Sequence, residues 1–106
     1  MTYNYILVDG QPEVCNDTIK WALWFEKNTE ERIVAQDTIG DVRISTVFLG
    51  IDHNFDLSGP PILWETMIFG GEHDEYQRRY PTRDDAIAGH SEALLLVSHA
   101  AQGGGR

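Results

Sequence analysis

Asp52, His53 and Glu65 are the first residues in the chain whose types and spacing suit proton transfer or metal binding. If Val42 to Ile51 and Ile62 to Phe69 are two arms of an antiparallel hairpin, His53 and Glu65 lie diagonally on one sheet face near its loop end. A histidine and a carboxylate so placed can exchange protons with a substrate, or hold a divalent ion if Asp56 or His73 joins them. A structural reading competes and is preferred. In it Asp52 and Asn54 shape the turn through side-chain bonds to backbone, and Glu65 is balanced by His53 or Arg43. No metal and no other cofactor is therefore assigned.

Arg78, Arg79 and Arg83, flanked by Tyr76 and Tyr80, form the one basic cluster and are candidates for gripping a phosphate or a small nucleotide. The neighbouring Glu72, Asp74, Glu75, Asp84 and Asp85 offer these arginines simpler partners on a solvated surface. Gly70-Gly71 lacks the spacing and the following lysine of a phosphate-binding loop, so it reads as a turn. Cys15, at the start of a helix, has no assignable base and reads as an inert buried thiol. His90 falls on the apolar stripe of the last helix, where a core histidine bonded to a backbone carbonyl is expected.

Seventeen acidic residues against eight basic ones give a net charge of −9. Phosphate contacts need clustered Lys and Arg, so direct binding to nucleic acid is excluded from the leading readings. The same charge favours encounter with a basic protein surface through an attraction that salt weakens. Glu30, Glu31, Asp74 and Glu75 are the acidic candidates for such contact. Trp21 and Trp24 are aromatic ones, in competition with a role in the core.

The elements that must position these groups follow from pattern. Tyr3 to Val8 alternates and ends at Asp9-Gly10, a strand and turn. Asn16 or Asp17 caps a helix to about Lys27, with Ile19, Ala22 and Leu23 on one side and Trp21, Trp24 and Phe25 on the next. Ile33 to Asp37 and Val42 to Ile51 read as strands around Gly40-Asp41, and Ile62 to Phe69 as the return arm of the central hairpin. Tyr80 closes a short edge strand. Pro81-Thr82 then starts a helix with Asp84 and Asp85 in its first turn and Ala86, Ile87, His90, Leu94 and Val97 as its stripe.

The expected fold is α+β, a small antiparallel sheet of four to five strands in the order β-α-β-β-β-(β)-α, covered by two helices. Residues 1–102 form one domain and 103–106 a flexible tail. In the hairpin, Phe48, Gly50 and Asp52 share a face with Trp64, Thr66 and Ile68. Val47, Leu49, Ile51 and His53 share the other with Leu63, Glu65, Met67 and Phe69. Both faces are largely apolar, so a homodimer or another partner is expected on the side the helices leave open.

The run Gly40 to Phe55 (GDVRISTVFLGIDHNF) and the run Gly59 to Gly71 (GPPILWETMIFGG), with Tyr80-Pro81-Thr82 and Ala88-Gly89-His90, resemble a family of small uncharacterised proteins encoded in bacteriophage and prophage genomes. The likeness spans roughly residues 14 to 97. Glu72-His73-Asp74-Glu75 departs from the proline-containing loop of that family, so no role is carried to His73. The resemblance carries no activity. It implies work inside an infected bacterium. The lone Cys15 and the lack of a long apolar stretch add the cytoplasm and no membrane partner, and with the net charge and small size without a catalytic constellation the reading is an accessory protein that binds and inhibits a host protein, for instance a nucleic-acid-binding defence component. That non-enzymatic reading ranks first. A small-molecule or nucleotide-sequestering protein ranks second, and a metal-dependent enzyme built on Asp52, His53 and Glu65 third.

Overall fold

Local chemistry sets the element boundaries. In the computed structural model, which describes residues 3–55 and 58–103, the Asp17 carboxylate accepts from the backbone N–H groups of Ile19 and Lys20, both at 3.1 Å. That caps α1 (Thr18–Lys27). At the other end of the chain, the Thr82 hydroxyl accepts from the Asp85 N–H at 3.0 Å and caps α3 (Arg83–Gly103). Between them a single turn, α2 (Thr29–Arg32), leads into the strands. The tail expected at 103–106 lies, beyond Gly103, outside the described residues.

The main sheet is antiparallel throughout, in the order β3 (Ile33–Ile39), β4 (Val42–Phe48), β5 (Trp64–Phe69) and β6 (Gln77–Tyr80). Its central register sets Phe48 against Trp64, Thr46 against Thr66 and Ile44 against Ile68, so the face predicted from alternation is the face observed. The first strand does not join this sheet. β1 (Tyr5–Val8) pairs instead with β2 (Gln11–Val14), a strand hidden in the sequence by Pro12, which a two-stranded ribbon tolerates. An antiparallel bridge between Asn4 and Ile51 helps to tie the ribbon to the body.

β4 stops at Phe48, three residues before the predicted Ile51, because the chain turns away to meet the ribbon. Gly50 accepts from the Tyr5 N–H at 2.8 Å and from the Trp21 indole N–H at 3.0 Å. Gly50 adopts φ +77°, and a Cβ there would lie 2.9 Å from the Phe25 ring. Only glycine allows both the turn and the aromatic approach.

The helices differ in what they cover. α3 crosses the face of Ile44, Thr46, Phe48, Trp64, Thr66 and Ile68, burying Ala86, His90, Ala93 and Val97. Ile87 of the predicted stripe is exposed instead, and Ala93 takes an inward place. α1 packs on the ribbon and the end of the sheet, with Trp24 edge-on to Phe48 at 6.0 Å between centroids. The core is two clusters: Phe48, Leu63, Trp64, Tyr80 and Ala86 in one, Ile44, Ile68, Ala93 and Val97 in the other. The threonines and His90 fall between them along each element.

Candidate functional site

Two places hold groups whose arrangement goes beyond packing. The first is the end of the sheet where the β3–β4 turn and the β5–β6 loop lie side by side. A Cβ on Gly70 would stand 3.1 Å from the Asp41 carbonyl oxygen, so the two segments touch. Asp74 folds its own loop by accepting the Gly70 N–H at 2.7 Å, and Glu75 is held at φ +74°. Beneath them opens a cavity of about 270 Å³, whose apolar wall is formed by Ile39, Val42, Val97 and Ala100 and whose mouth carries Glu72 and His73.

Asp41, Glu72, Asp74 and Glu75 are all exposed on these two turns, and Glu72 is the one of them that lines the cavity. Neither segment, 39–42 or 70–76, contains a lysine or arginine. The carbonyl end of α3 lies beyond Ala100 with no basic residue in its last turn, so the helix field adds to the negative potential rather than offsetting it. An apolar socket with Glu72 on its lining and three more carboxylates on the same two turns suits an aliphatic anchor carried between positive charges.

The second place is a buried polar belt between the two core clusters. The Tyr80 hydroxyl donates to Thr66 Oγ1 at 3.1 Å, and the hydroxyls of Thr66 and Thr46 bond at 2.6 Å. Thr46 Oγ1 lies 2.6 Å from His90 Nδ1, and His90 Nε2 lies 2.7 Å from Asp37 Oδ2. With a neutral imidazole protonated at Nε2, every hydroxyl donates once in one direction, from Tyr80 through Thr66 and Thr46 to His90, and the ring donates outward to Asp37. Burial raises the Tyr80 phenol above its ordinary value, and the Thr66 hydrogen bond partly opposes that. Thr46 and Thr66 are wholly buried, so this belt has no room for a substrate.

The sequence-predicted residues are distributed among structural tasks. Asp52 Oδ1 accepts from the N–H groups of Asn54 and Ile62, at 2.8 and 2.9 Å, and so clamps the loop as the preferred reading expected. His53 donates from Nδ1 to the Ile51 carbonyl at 2.8 Å. Glu65 stands opposite Val47, held by Arg79 at 2.8 Å and Gln77 at 2.6 Å, where the sequence reading offered His53 or Arg43. Asp56 lies outside the described residues. Among the described residues no three His, Cys, Asp or Glu side chains are grouped as metal ligands would be.

The arginine cluster diverges. Arg78 pairs with Glu92 and lies over the Tyr80 ring, 5.6 Å from its centroid, and its bonds to Tyr76 and then the Glu92 charge raise its pKa. Arg79 projects to the other sheet face, and Arg83 lines the groove beside Gly10 and Gln11 at the start of α3. Trp21 and Trp24 both turn inward, the first donating to the Tyr5 and Gly50 carbonyls. Ile19 and Leu23 are the exposed apolar residues of α1, at 74% and 53%. Glu30 and Glu31 precede β3 at the end of the sheet away from Asp74 and Glu75, so the four acids do not make one patch. His90 is buried as expected, but its partners are Thr46 and Asp37 rather than a backbone carbonyl.

Comparison with protein-family models, curated proteins and solved structures gives no match to this chain. No helix among the described residues is long and apolar enough to cross a membrane.

Proposed function

We propose that this chain is a phage-encoded accessory protein that binds a bacterial host protein in the cytoplasm and blocks it, without catalysis of its own. The carboxylate-rimmed apolar cavity at the β-turn end of the sheet carries the reading. Asp41, Glu72 and Glu75 attract a basic surface from a distance, and the pocket of Ile39, Val42, Val97 and Ala100 supplies the short-range apolar contact that charge alone lacks. A nucleic-acid-binding defence protein presents such a basic surface, which the carboxylates would occupy in place of phosphates.

The test is capture of a partner from nuclease-treated bacterial lysate by the tagged protein at low and moderate salt. The wild type is compared with a triple variant Asp41→Asn, Glu72→Gln, Glu75→Gln that leaves the Asp74 cap in place. A single stoichiometric basic protein, released by salt and lost from the triple variant, is the expected result. Equal recovery by the triple variant, or recovery indifferent to salt, overturns the charge-driven mode.

A further inference from the structure

Among the described residues, the helices of one chain cover one face of its sheet. All helix packing from α3 falls on the face of Thr46 and Thr66, and the molecule is 20 Å across its thinnest direction, enough for a sheet and one helix layer. On the opposite face the register sets eleven outward positions, four apolar (Ile33, Val47, Met67 and Phe69) and seven polar, of which Ser45 and Glu65 are buried and Arg43, Glu65 and Arg79 carry charge. Ile33 and Phe69 are 36% and 37% exposed, and no helix among the described residues packs on this face.

The charge here runs against the rest of the molecule. In a chain of net −9, this face carries two arginines and one glutamate. Glu65 is already matched to Arg79. Arg43 forms no ion pair among the described residues and rests on its neighbour, 4.4 Å from the Phe69 ring centroid. A basic partner of the kind the acidic end attracts is repelled by the one cation left over, Arg43.

We infer that this face is the interface of a homodimer, in which the open sheets of two copies stack. A second copy fits because the contact is made where mutual repulsion is smallest. A two-fold axis running across the strands also brings Arg43 of each copy to the end of the other sheet where α2 precedes β3 and where Glu30 forms no ion pair among the described residues. The size of the face limits its strength. At strand spacings of about 4.8 Å and about 6.7 Å between same-side residues, the outward positions cover roughly 350 Å² in projection, against about 800 Å² per partner in a standard interface. The dimer is therefore weak and concentration-dependent.

The chain has two methionines, Met1 and Met67, so Met67 is a built-in reporter. Sedimentation equilibrium from about 10 µM to about 1 mM should show mass rising from 12.0 kDa towards twice that value. The Met67 methyl resonance should shift over the same range. Phe69→Glu should hold the chain at monomer mass, and Arg43→Ala, at an exposed position, should weaken association even if Phe69→Glu folds poorly. Exposed Ile19→Glu on α1 should leave it unchanged. A monomer mass at the highest concentration overturns the inference, as does a dimer that persists in both interface variants. A Met67 shift seen only when a captured host protein is added assigns the face to that partner and also overturns it. Neither result bears on the acidic end, whose variants are different residues.

Discussion

Replacing Thr46 by valine keeps the shape of the side chain and removes one hydroxyl, yet that hydroxyl is the middle of a belt that joins five elements. In the wild type it bonds Thr66 and His90 Nδ1, both at 2.6 Å and both fully enclosed. Valine leaves the imidazole nitrogen without a donor and the Thr66 hydroxyl without its acceptor. Each stranded buried group costs about 1–3 kcal/mol, so the substitution, which strands two, should destabilise by roughly 2–6 kcal/mol. Thr66→Val strands the Tyr80 hydroxyl and leaves Thr46 able to donate to His90, so it should cost less, about 1–3 kcal/mol. In the double variant the two threonines no longer strand each other, and the combined cost should fall short of the sum by about 1 kcal/mol or more. Urea denaturation of the wild type, both single variants and the double variant measures all three terms at constant m-value. Additive costs, or a Thr46→Val penalty below about 0.5 kcal/mol, would refute the directed chain of donors, since a belt of independent contacts has no coupling to lose.

Two further outcomes follow from neighbouring geometry. Gly89→Ala would put a Cβ 2.1 Å from the Tyr80 hydroxyl and 2.3 Å from its Cζ, an overlap that ring and helix cannot share. It should cost about 3 kcal/mol or more by thermal or urea melting, and Tyr80→Phe should recover only part of it because the ring carbons still clash. Alkaline titration gives the other. The Tyr80 phenol is raised in the fold, so its contribution is complete below the unfolded value of 10.0 and is lost as pH rises through the folded value. Tyr5, raised by burial and by Asp52, acts in the same direction. The melting temperature should fall above about pH 10, less steeply in Tyr80→Phe, and a flat profile to pH 11 would contradict the burial of both phenols.

Alternation and capping made the hairpin of β4 and β5, its inner face and both long helices legible, because the Phe48/Trp64 pairing, Asp17 and Thr82 act over a few residues. What escaped depends on distance or compensation. The ribbon strand Gln11–Val14 carries a proline, permitted only because no further strand pairs beyond it. The separation of His53 from the Glu65 partners arises where residues 50–52 leave the sheet for the ribbon, a long-range pairing with no local mark beyond Gly50. The belt left a faint signal, two threonines at inward positions of an apolar hairpin and a histidine on an apolar helix stripe. Its closing carboxylate, Asp37, is 53 residues from His90 and could be assigned only with β3 placed beside β4. The acidic cavity was missed for the same reason, since the turns that carry Asp41 and Glu72 come together only in the fold.

The acidic end and the open face constrain each other if both act in one molecule. Asp41, Glu72 and Glu75 lie at the Arg43 and Phe69 end of the sheet. A dimer axis along the strands would set two such ends side by side and add their repulsion directly. An axis across the strands sends them to opposite ends of the assembly, a strand length or more apart, beyond the ~8 Å over which physiological salt screens charge. Electrostatics therefore selects the second arrangement, the same one that carries Arg43 towards Glu30 of the other copy. It leaves two acidic sockets facing outward, so one dimer would hold two basic partners, and loss of the dimer in Phe69→Glu would halve the stoichiometry of capture per assembly without altering the affinity of each socket.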